Sequence, residues 1–270
     1  MAVCAALVAA GCIGPRAATA PDEGWAFTSA PRPRKALCPA PPETLPDGAR
    51  LVRVALPLQT DPGTCAPVVV SGLLAHYGMP ISPEWLERHA GTTPDGGTNV
   101  QHLLGIVGRE VLPGSGAVLH EHLGFGTERF KRLFLAYNRL ADARPGTRRI
   151  HWMPGAEIPV EKKLALADPA LLREAANSLP GRERFWRIVR EAVNGGDPLL
   201  WGVVVGIVPE PLLPPPQTRG GHLRLIVGYR DHPREVVFSD PWGPSHAAKR
   251  LPLADAWAET ATLHSLHVSR

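Results

Sequence analysis

Aromatic residues, cysteines and long hydrophobic runs are all scarce in this sequence of 270 residues. Aromatic side chains make up 6% of the chain, and its 29 Lys and Arg residues are scattered, so no basic stripe carries the stacking side chains typical of a nucleic-acid surface. The excess of positive charge is small, +4 at pH 7, as expected for a solvated surface. These features argue against a nucleic-acid partner.

A run of about 20 apolar residues, the length that a membrane-spanning helix needs, is also missing from the sequence. Hydrophobic residues nevertheless make up 44% of the chain and charged residues 20%, which is typical of a globular protein with a sizeable core. We therefore expect membrane contact only through the N-terminus, if the chain is anchored there.

The first 20 residues predict export. The stretch MAVCAALVAAGCIG has the length of a signal-peptide core and is too short to span a bilayer. It contains AAGC, in which small residues precede Cys12 as in a bacterial lipobox, although Ala9 stands where that motif usually has leucine. Cleavage after ATA (18–20) is the alternative, which Pro21 disfavours. We expect an exported protein of the cell envelope, with Cys12 as the candidate lipidation site.

Residues 21–49 are rich in proline, which prevents both helix formation and regular strand pairing, so they predict an extended linker. The folded domain is then expected at 50–270, with a helical insertion at about 111–183.

The two halves of the predicted domain differ in their periodicity. A strand is predicted at 50–58, and helices at 65–78, 82–91, 99–108, 127–143, 168–178 and 182–198, with Thr64 as N-cap of the first. The last third contains a buried strand at 199–208 and two strands joined by a polar turn, HLRLIVGYRD and REVVFSDPWG, which predict a hairpin. Helices followed by antiparallel strands indicate an α+β fold.

Gln59, Cys65, His222 and Asp240 are the candidate catalytic residues. Cys65 follows a turn and opens a predicted helix, whose N-terminal N–H groups and dipole favour the nucleophilic thiolate. A histidine could accept the thiol proton, and a carboxylate on its other ring nitrogen would fix its tautomer. The side-chain amide of Gln59, together with the backbone N–H of Cys65, could stabilise an oxyanion.

The predicted hairpin brings two of these residues together. His222 begins one strand and Asp240 follows the other, and in an antiparallel pair the start of one strand lies beside the end of its neighbour. Local pairing alone therefore predicts contact between His222 and Asp240, whereas the approach of Cys65 is a matter of tertiary structure.

Four motifs in this order resemble the papain-like cysteine peptidases, and within them the bacteriocin-processing (double-glycine leader) peptidase-like family. They are LPLQTDPGTCAPVVVSGLLAHYG, VNGGDPLLWGVVV, GGHLRLIVGYRD and SDPWG. The resemblance implies a papain-like α+β fold, in which a helix that carries the cysteine packs on an antiparallel sheet that carries the histidine and aspartate. It also implies that Cys65 is the nucleophile, His222 the base, Asp240 its orienting acid and Gln59 the oxyanion residue of a thiol-dependent peptidase or amidase without a cofactor.

Three alternatives remain open at this point. Cys65 could form a disulfide with Cys38 in a non-catalytic envelope module that binds ligands in the same groove. The same site could transfer an acyl group to an amine instead of to water. Two histidine pairs, His120 with His122 on a strand and His264 with His267 one helical turn apart, lack zinc-like spacing to further ligands, so no metal site is predicted.

Overall fold

The computed structural model describes residues 35–61, 63–93, 97–124, 127–151, 164, 166–210 and 220–268. The predicted signal at 1–20 and the candidate lipidation site Cys12 lie outside these residues. The linker prediction can be compared with the structure only from residue 35 onwards.

The described chain contains groups of helices that are separated by strands. The α-helices are α1 (Cys65–His76), α2 (Pro83–Ala90), α3 (Val100–Ile106), α4 (Thr127–Asp142), α5 (Pro169–Ser178), α6 (Arg182–Asn194) and α7 (Leu253–Glu259). A π-helical turn (Val107–Val111) continues α3, and a 3-10 turn (Pro244–His246) follows the hairpin. The strands are β1 (Glu43–Thr44), β2 (Arg50–Leu51), β3 (Ala117–Leu123), β4 (Leu199–Val205), β5 (Gly220–Arg230), β6 (Glu235–Ser239), β7 (Lys249–Pro252) and β8 (Thr260–Val268).

These strands form one antiparallel sheet at the centre of the described structure. Its main path runs β1-β2-β5-β4-β8-β3, and β6 joins β5 on the opposite edge and pairs with β7. Strand β5 is therefore the branch point of the sheet, and the predicted hairpin is formed by β5 and β6. The segment 111–183, predicted as a helical insertion, contains α4 and α5 but also supplies β3 to this sheet.

The strand predicted at 50–58 is wrong beyond its first two residues. Strand β2 covers only Arg50–Leu51, which pair with Tyr229 and Gly228 of β5. Strand β4 occupies the same edge of β5 from Ile226 onwards, so no backbone groups are left there for a longer β2. The chain leaves the sheet after Val52 and runs, without regular structure, towards the start of α1.

Two hydrophobic clusters cover the two faces of the sheet. Helices α1 to α3 contribute to one cluster and α4 to α7 to the other. Side chains alternate between faces along a strand, so in β4 Leu199, Trp201 and Val203 join the second cluster while Leu200 joins the first. The predicted α+β class, a cysteine-bearing helix packed on an antiparallel sheet that carries the histidine and aspartate, is confirmed.

Helix α1 begins at Cys65, as predicted, although its valine run favours a strand by propensity. Every residue from Ala66 to Ala75 is buried, so packing on several sides outweighs that propensity. Thr64 stands at the N-cap position but forms no side-chain capping bond, and its hydroxyl donates to the Asp61 carbonyl at 2.8 Å. The predicted capping role of Thr64 is therefore wrong, and the first N–H groups of α1 are left to other acceptors.

Among the described helices, none combines the length and the apolar character needed to cross a bilayer.

Candidate active site

Cys65 lies at the first position of α1, where its half-buried thiol contacts the histidine predicted as its base. The sulfur forms a hydrogen bond with the His222 side chain and accepts from the backbone N–H groups of Leu223 and Ala66. Ala66 is the second helical residue, whose N–H a capping side chain would normally take. Because Thr64 forms no capping bond, the backbone N–H of Ala66 is available to donate to the sulfur of Cys65.

His222 and Asp240 form the second link of the site. The Nε2 atom of His222 lies 2.9 Å from Oδ1 of Asp240, and both side chains are almost completely buried. Since Nε2 bonds to the carboxylate, Nδ1 is the ring nitrogen left to face Cys65. The structure therefore brings the thiol, the imidazole and the carboxylate into one chain of hydrogen bonds.

The register of the β5–β6 hairpin explains this meeting. Leu225 pairs with Ser239, and continuing the antiparallel register one residue places Arg224 opposite Asp240. His222, two residues earlier on the same side of β5, then lies beside the turn that follows Asp240. Contact between His222 and Asp240 follows from local pairing, as the sequence predicted.

Opposing effects set the protonation of the thiol and the imidazole. Burial by itself would raise the pKa of Cys65, but the charge of His222 and the hydrogen bonds to the sulfur outweigh it, so the pKa of this thiol lies below its usual value. Burial would likewise lower the pKa of His222, but the Cys65 thiolate and Asp240 raise it above its usual value. The two shifts favour a thiolate–imidazolium pair.

Gln59 reaches the site through Trp242. The Oε1 atom of Gln59 accepts from the indole N–H of Trp242 at 3.1 Å, and its Nε2 donates to the Asp61 carbonyl at 2.9 Å. One of the two N–H groups of the amide is used in that bond. The backbone N–H of Gln59 donates to the carbonyl of Pro241 at 2.7 Å. This bond connects the segment before α1 to the turn after β6.

A buried ionic cluster behind Asp240 was missed by the sequence reasoning. Arg224 has a fully buried side chain and lies 2.9 Å from Oδ1 of Asp240 through its Nε, and the Lys249 ammonium lies 3.2 Å from Oδ2. Glu210 and Glu259 contact Arg224 at 3.1 Å and 3.4 Å. One signal in the sequence could have revealed the cluster: a lone arginine in the apolar run HLRLIVGY, since a buried cation needs acidic partners.

This cluster controls the protonation of two of its acids. Burial would raise the pKa of Asp240, but the charge of Arg224 and the hydrogen bond from His222 hold it well below its usual range. Burial raises the pKa of Glu259 well above its usual value, despite Arg224, and Glu210 raises it further. These shifts favour the ionised form of Asp240 beside His222 and the neutral form of Glu259.

The structure contradicts one alternative for Cys65 and one expectation about the histidines. Cys65 is a free thiol, so the disulfide between Cys38 and Cys65 is wrong. His264 and His267 lie on strand β8 and are not one helical turn apart, because β8 pairs along its length with β3 and β4. Within the described residues, no group of three or more His, Cys, Asp or Glu side chains is arranged to hold a metal ion.

The comparisons with known proteins agree with the geometry of this site. Residues 172–264 match the model of the Peptidase_C39 like family, a range that includes His222 and Asp240 but not Cys65. No curated protein matches the chain.

Two solved structures are similar to parts of it. The peptidase domain of Streptococcus ComA, a bi-functional ABC transporter involved in a quorum sensing pathway, is 14% identical over 78% of this chain and 95% of that domain, with a TM-score of 0.37. Xylellain, a cysteine protease from Xylella fastidiosa, is 14% identical over 90% of this chain and 99% of its own, with a TM-score of 0.41.

The family match agrees with the resemblance inferred from the four motifs and indicates a protein of the cysteine peptidase type. Over residues 172–264, this chain is thus similar to the Peptidase_C39 like family.

Proposed function

We propose that this protein is a thiol-dependent peptidase or amidase that works through an acyl-enzyme intermediate. In this proposal Cys65 is the nucleophile, His222 the general base and acid, and Asp240 the group that orients His222. Gln59 and the backbone N–H of Cys65 stabilise the oxyanion.

The observation that carries the proposal is the continuous hydrogen-bonded chain from Cys65 through His222 to Asp240. A structural cysteine needs neither a helix N-terminus nor an imidazole with a raised pKa. The Cys65 residue is also only partly buried.

The chemical steps follow from the protonation of this pair. The Cys65 thiolate attacks the amide carbon and forms a C–S bond, while the carbonyl oxygen becomes an oxyanion. The imidazolium of His222 then gives its proton to the amide nitrogen as the C–N bond breaks and the amine leaves. Water attacks the thioester carbon, His222 takes its proton, and cleavage of the C–S bond releases the acid and restores the pair.

Alkylation followed by intact and peptide mass spectrometry tests the reactive thiol. We expect iodoacetamide to label Cys65 in wild type at pH 6, where an ordinary thiol with a pKa of about 8.5 reacts slowly. Cys65→Ala should remove the label and all peptidase activity, and His222→Ala should strongly slow the labelling. His89→Ala serves as the matched control, because His89 stacks on Trp85 at a distance from the site.

Two results would contradict the proposal. Labelling of Cys65 that begins only near pH 8 in wild type would show an ordinary thiol and favour a non-catalytic binding module. Labelling by a cysteine-peptidase activity probe that persists in Cys65→Ala would place the nucleophile elsewhere. Addition of a primary amine to a reaction on a peptide amide substrate then separates hydrolysis from acyl transfer by the mass of the product.

Export and lipidation remain part of the proposal. The sequence AAGC, which ends at Cys12, supports a lipid anchor in the cell envelope. Expression of the full chain in a bacterium with a radiolabelled fatty acid should label wild type but not Cys12→Ser. A wild-type protein that carries no lipid would leave only cleavage after residue 20 as the route of export.

A further inference from the structure

Arg224 lies at the centre of the ionic cluster behind Asp240. A gain in folding stability does not by itself explain why a charged side chain is buried there. A fully buried guanidinium costs several kcal/mol in lost hydration, and apolar residues of similar size are often as stable or more stable in such positions. The guanidinium lies against Trp201 and Phe238, which are apolar core residues of the second cluster. Arg224 therefore carries a charge at a position where an apolar side chain would suit the core.

The contacts of Asp240 indicate what this charge does. Its Oδ1 atom lies 2.9 Å from Nε2 of His222 and 2.9 Å from Nε of Arg224, and its Oδ2 lies 3.2 Å from Nζ of Lys249. The backbone N–H of Asp240 donates to the His246 carbonyl at 3.1 Å. His222 and Lys249 form hydrogen bonds to different oxygens and the Arg224 charge lies beside Oδ1, so a rotation of the carboxylate away from His222 would break these contacts.

Arg224 is itself fixed on several sides. Glu210 lies 3.1 Å from its Nη1 and 3.2 Å from its Nη2, a forked contact that sets the plane of the guanidinium. The same group lies over the rings of Phe238 and Trp201, at 4.4 Å and 5.4 Å from their centres. The guanidinium can therefore act as a rigid support for Asp240.

The cluster combines two basic side chains, Arg224 and Lys249, with three acidic ones, Asp240, Glu210 and Glu259. Burial raises the pKa of Glu259 well above its usual value and so favours its neutral form. Removing Arg224 together with Glu210 takes away one basic and one acidic side chain.

We propose that Arg224 is a positioning residue, which together with Lys249 holds the Asp240 carboxylate ionised and in one orientation so that His222 stays turned towards Cys65. This inference rests on the proposed function, because it gives a second layer of residues to the same site. The reacting atoms touch Cys65 and His222, whereas Arg224 acts only through Asp240.

The double variant Glu210→Gln/Arg224→Met tests this role by removing one acidic and one basic side chain together. We expect it to fold, as judged by circular dichroism, and to shift the pH profile of Cys65 alkylation upwards. At a pH below the pKa of the Cys65 thiol, a rise of about one in that pKa lowers the thiolate fraction about tenfold. The rate of alkylation at pH 6 should therefore fall about tenfold. Glu235→Gln/Arg230→Met is the control, because it removes an acid–arginine pair 2.8 Å apart at the other end of the β5–β6 hairpin without touching Asp240.

The outcomes separate this inference from the proposed function. If wild type itself alkylates like an ordinary thiol, the proposed function fails. If wild type reacts at low pH and the folded double variant keeps the same profile, Arg224 has only a structural role and the inference is wrong. Should the double variant not fold, carbon-13 NMR of the wild-type aspartate carboxyl groups decides: protonation of Asp240 near the ordinary value of about 3.9 would overturn the inference.

Discussion

The indole ring of Trp242 lies flat against the imidazole of His222, with ring centres 4.3 Å apart and planes inclined by 20°. The N–H of the same indole donates to Oε1 of Gln59 at 3.1 Å. Trp242 thus covers the proposed base and at the same time orients the amide of the proposed oxyanion residue. The motif DPWG joins both functions because it begins with Asp240 and contains Trp242.

Loss of the Gln59 amide should therefore slow catalysis without changing the thiol. We expect Gln59→Ala to lower kcat about 100-fold, the usual effect of removing one oxyanion donor. Trp242→Phe keeps a ring on His222 but loses the bond to Gln59, so it should lower kcat in the same direction by a smaller factor. Both should alkylate like wild type, and a kcat equal to wild type in Gln59→Ala would show that the oxyanion is bound elsewhere.

The pH dependence of the site follows from two opposite pKa shifts. The pKa of Cys65 is lowered and that of His222 is raised, so the thiolate–imidazolium pair exists between these two values. Peptidase activity should rise as the pH passes the lowered pKa of Cys65 and fall as it passes the raised pKa of His222. In His222→Ala, stopped-flow alkylation should follow a single transition near the ordinary thiol pKa of about 8.5. A wild-type profile with the same single transition would contradict the pair.

Asp240→Asn should destabilise the fold as well as the site. The substitution leaves Arg224 and Lys249 buried beside one carboxylate fewer, and breaking a buried ion pair in this way costs about 3–5 kcal/mol. Urea unfolding at pH 7 measures the loss. Asp231→Asn is the control, since its pair with Arg190 is exposed and should contribute less than about 1 kcal/mol.

The Asp240→Asn variant should also differ from wild type in how its stability depends on acidic pH. Because the pKa of Asp240 is lowered in the folded protein, its contribution is present above the unfolded value of about 3.9 and is lost as the pH falls through the folded value. The stability difference between wild type and Asp240→Asn should therefore narrow below about pH 4. A difference that stays constant down to pH 2 would show that the carboxylate charge is not its cause.

Gly228 is required where β2 joins the sheet. A Cβ atom at this position would lie 2.3 Å from the carbonyl oxygen of Arg50, a backbone atom that cannot move without breaking the β2–β5 pairing. We expect Gly228→Ala to lower the free energy of unfolding by about 1–3 kcal/mol, as overpacking does elsewhere. Gly220→Ala on the same strand is the control, because no atom of the described residues lies within 4 Å of its Cβ position. Equal stability of the two variants would contradict the close approach.

Much of the local structure could be predicted from the sequence. Helix α2 begins and ends where Ser82 and Gly91 indicate, with the Ser82 hydroxyl accepting from Trp85 at 3.2 Å and Gly91 at a φ of 64°. Helix α1 starts at Cys65 in spite of its valines. Such features depend on neighbours in the chain, whose backbone groups and side chains meet in any compact arrangement.

Other features could not be predicted because they depend on partners far away in the chain. The length of β2 is limited by β4, which shares an edge of β5 more than 140 residues later. The loss of the Thr64 cap has a local cause instead, because its hydroxyl donates to the Asp61 carbonyl three residues earlier at 2.8 Å. The length of β2 therefore has no signal in the local pattern, whereas the Thr64 bond is a competing turn contact within it.

By itself, the sequence determined the helix that presents Cys65 and the hairpin that joins His222 to Asp240, because hydrogen bonding between neighbouring segments encodes both. Only the tertiary structure decided that Cys65 meets this hairpin and that Arg224 lies beside the carboxylates of Glu210 and Asp240. A buried charge is stable only where distant segments bring it opposite charges, and no single segment of the chain contains that information.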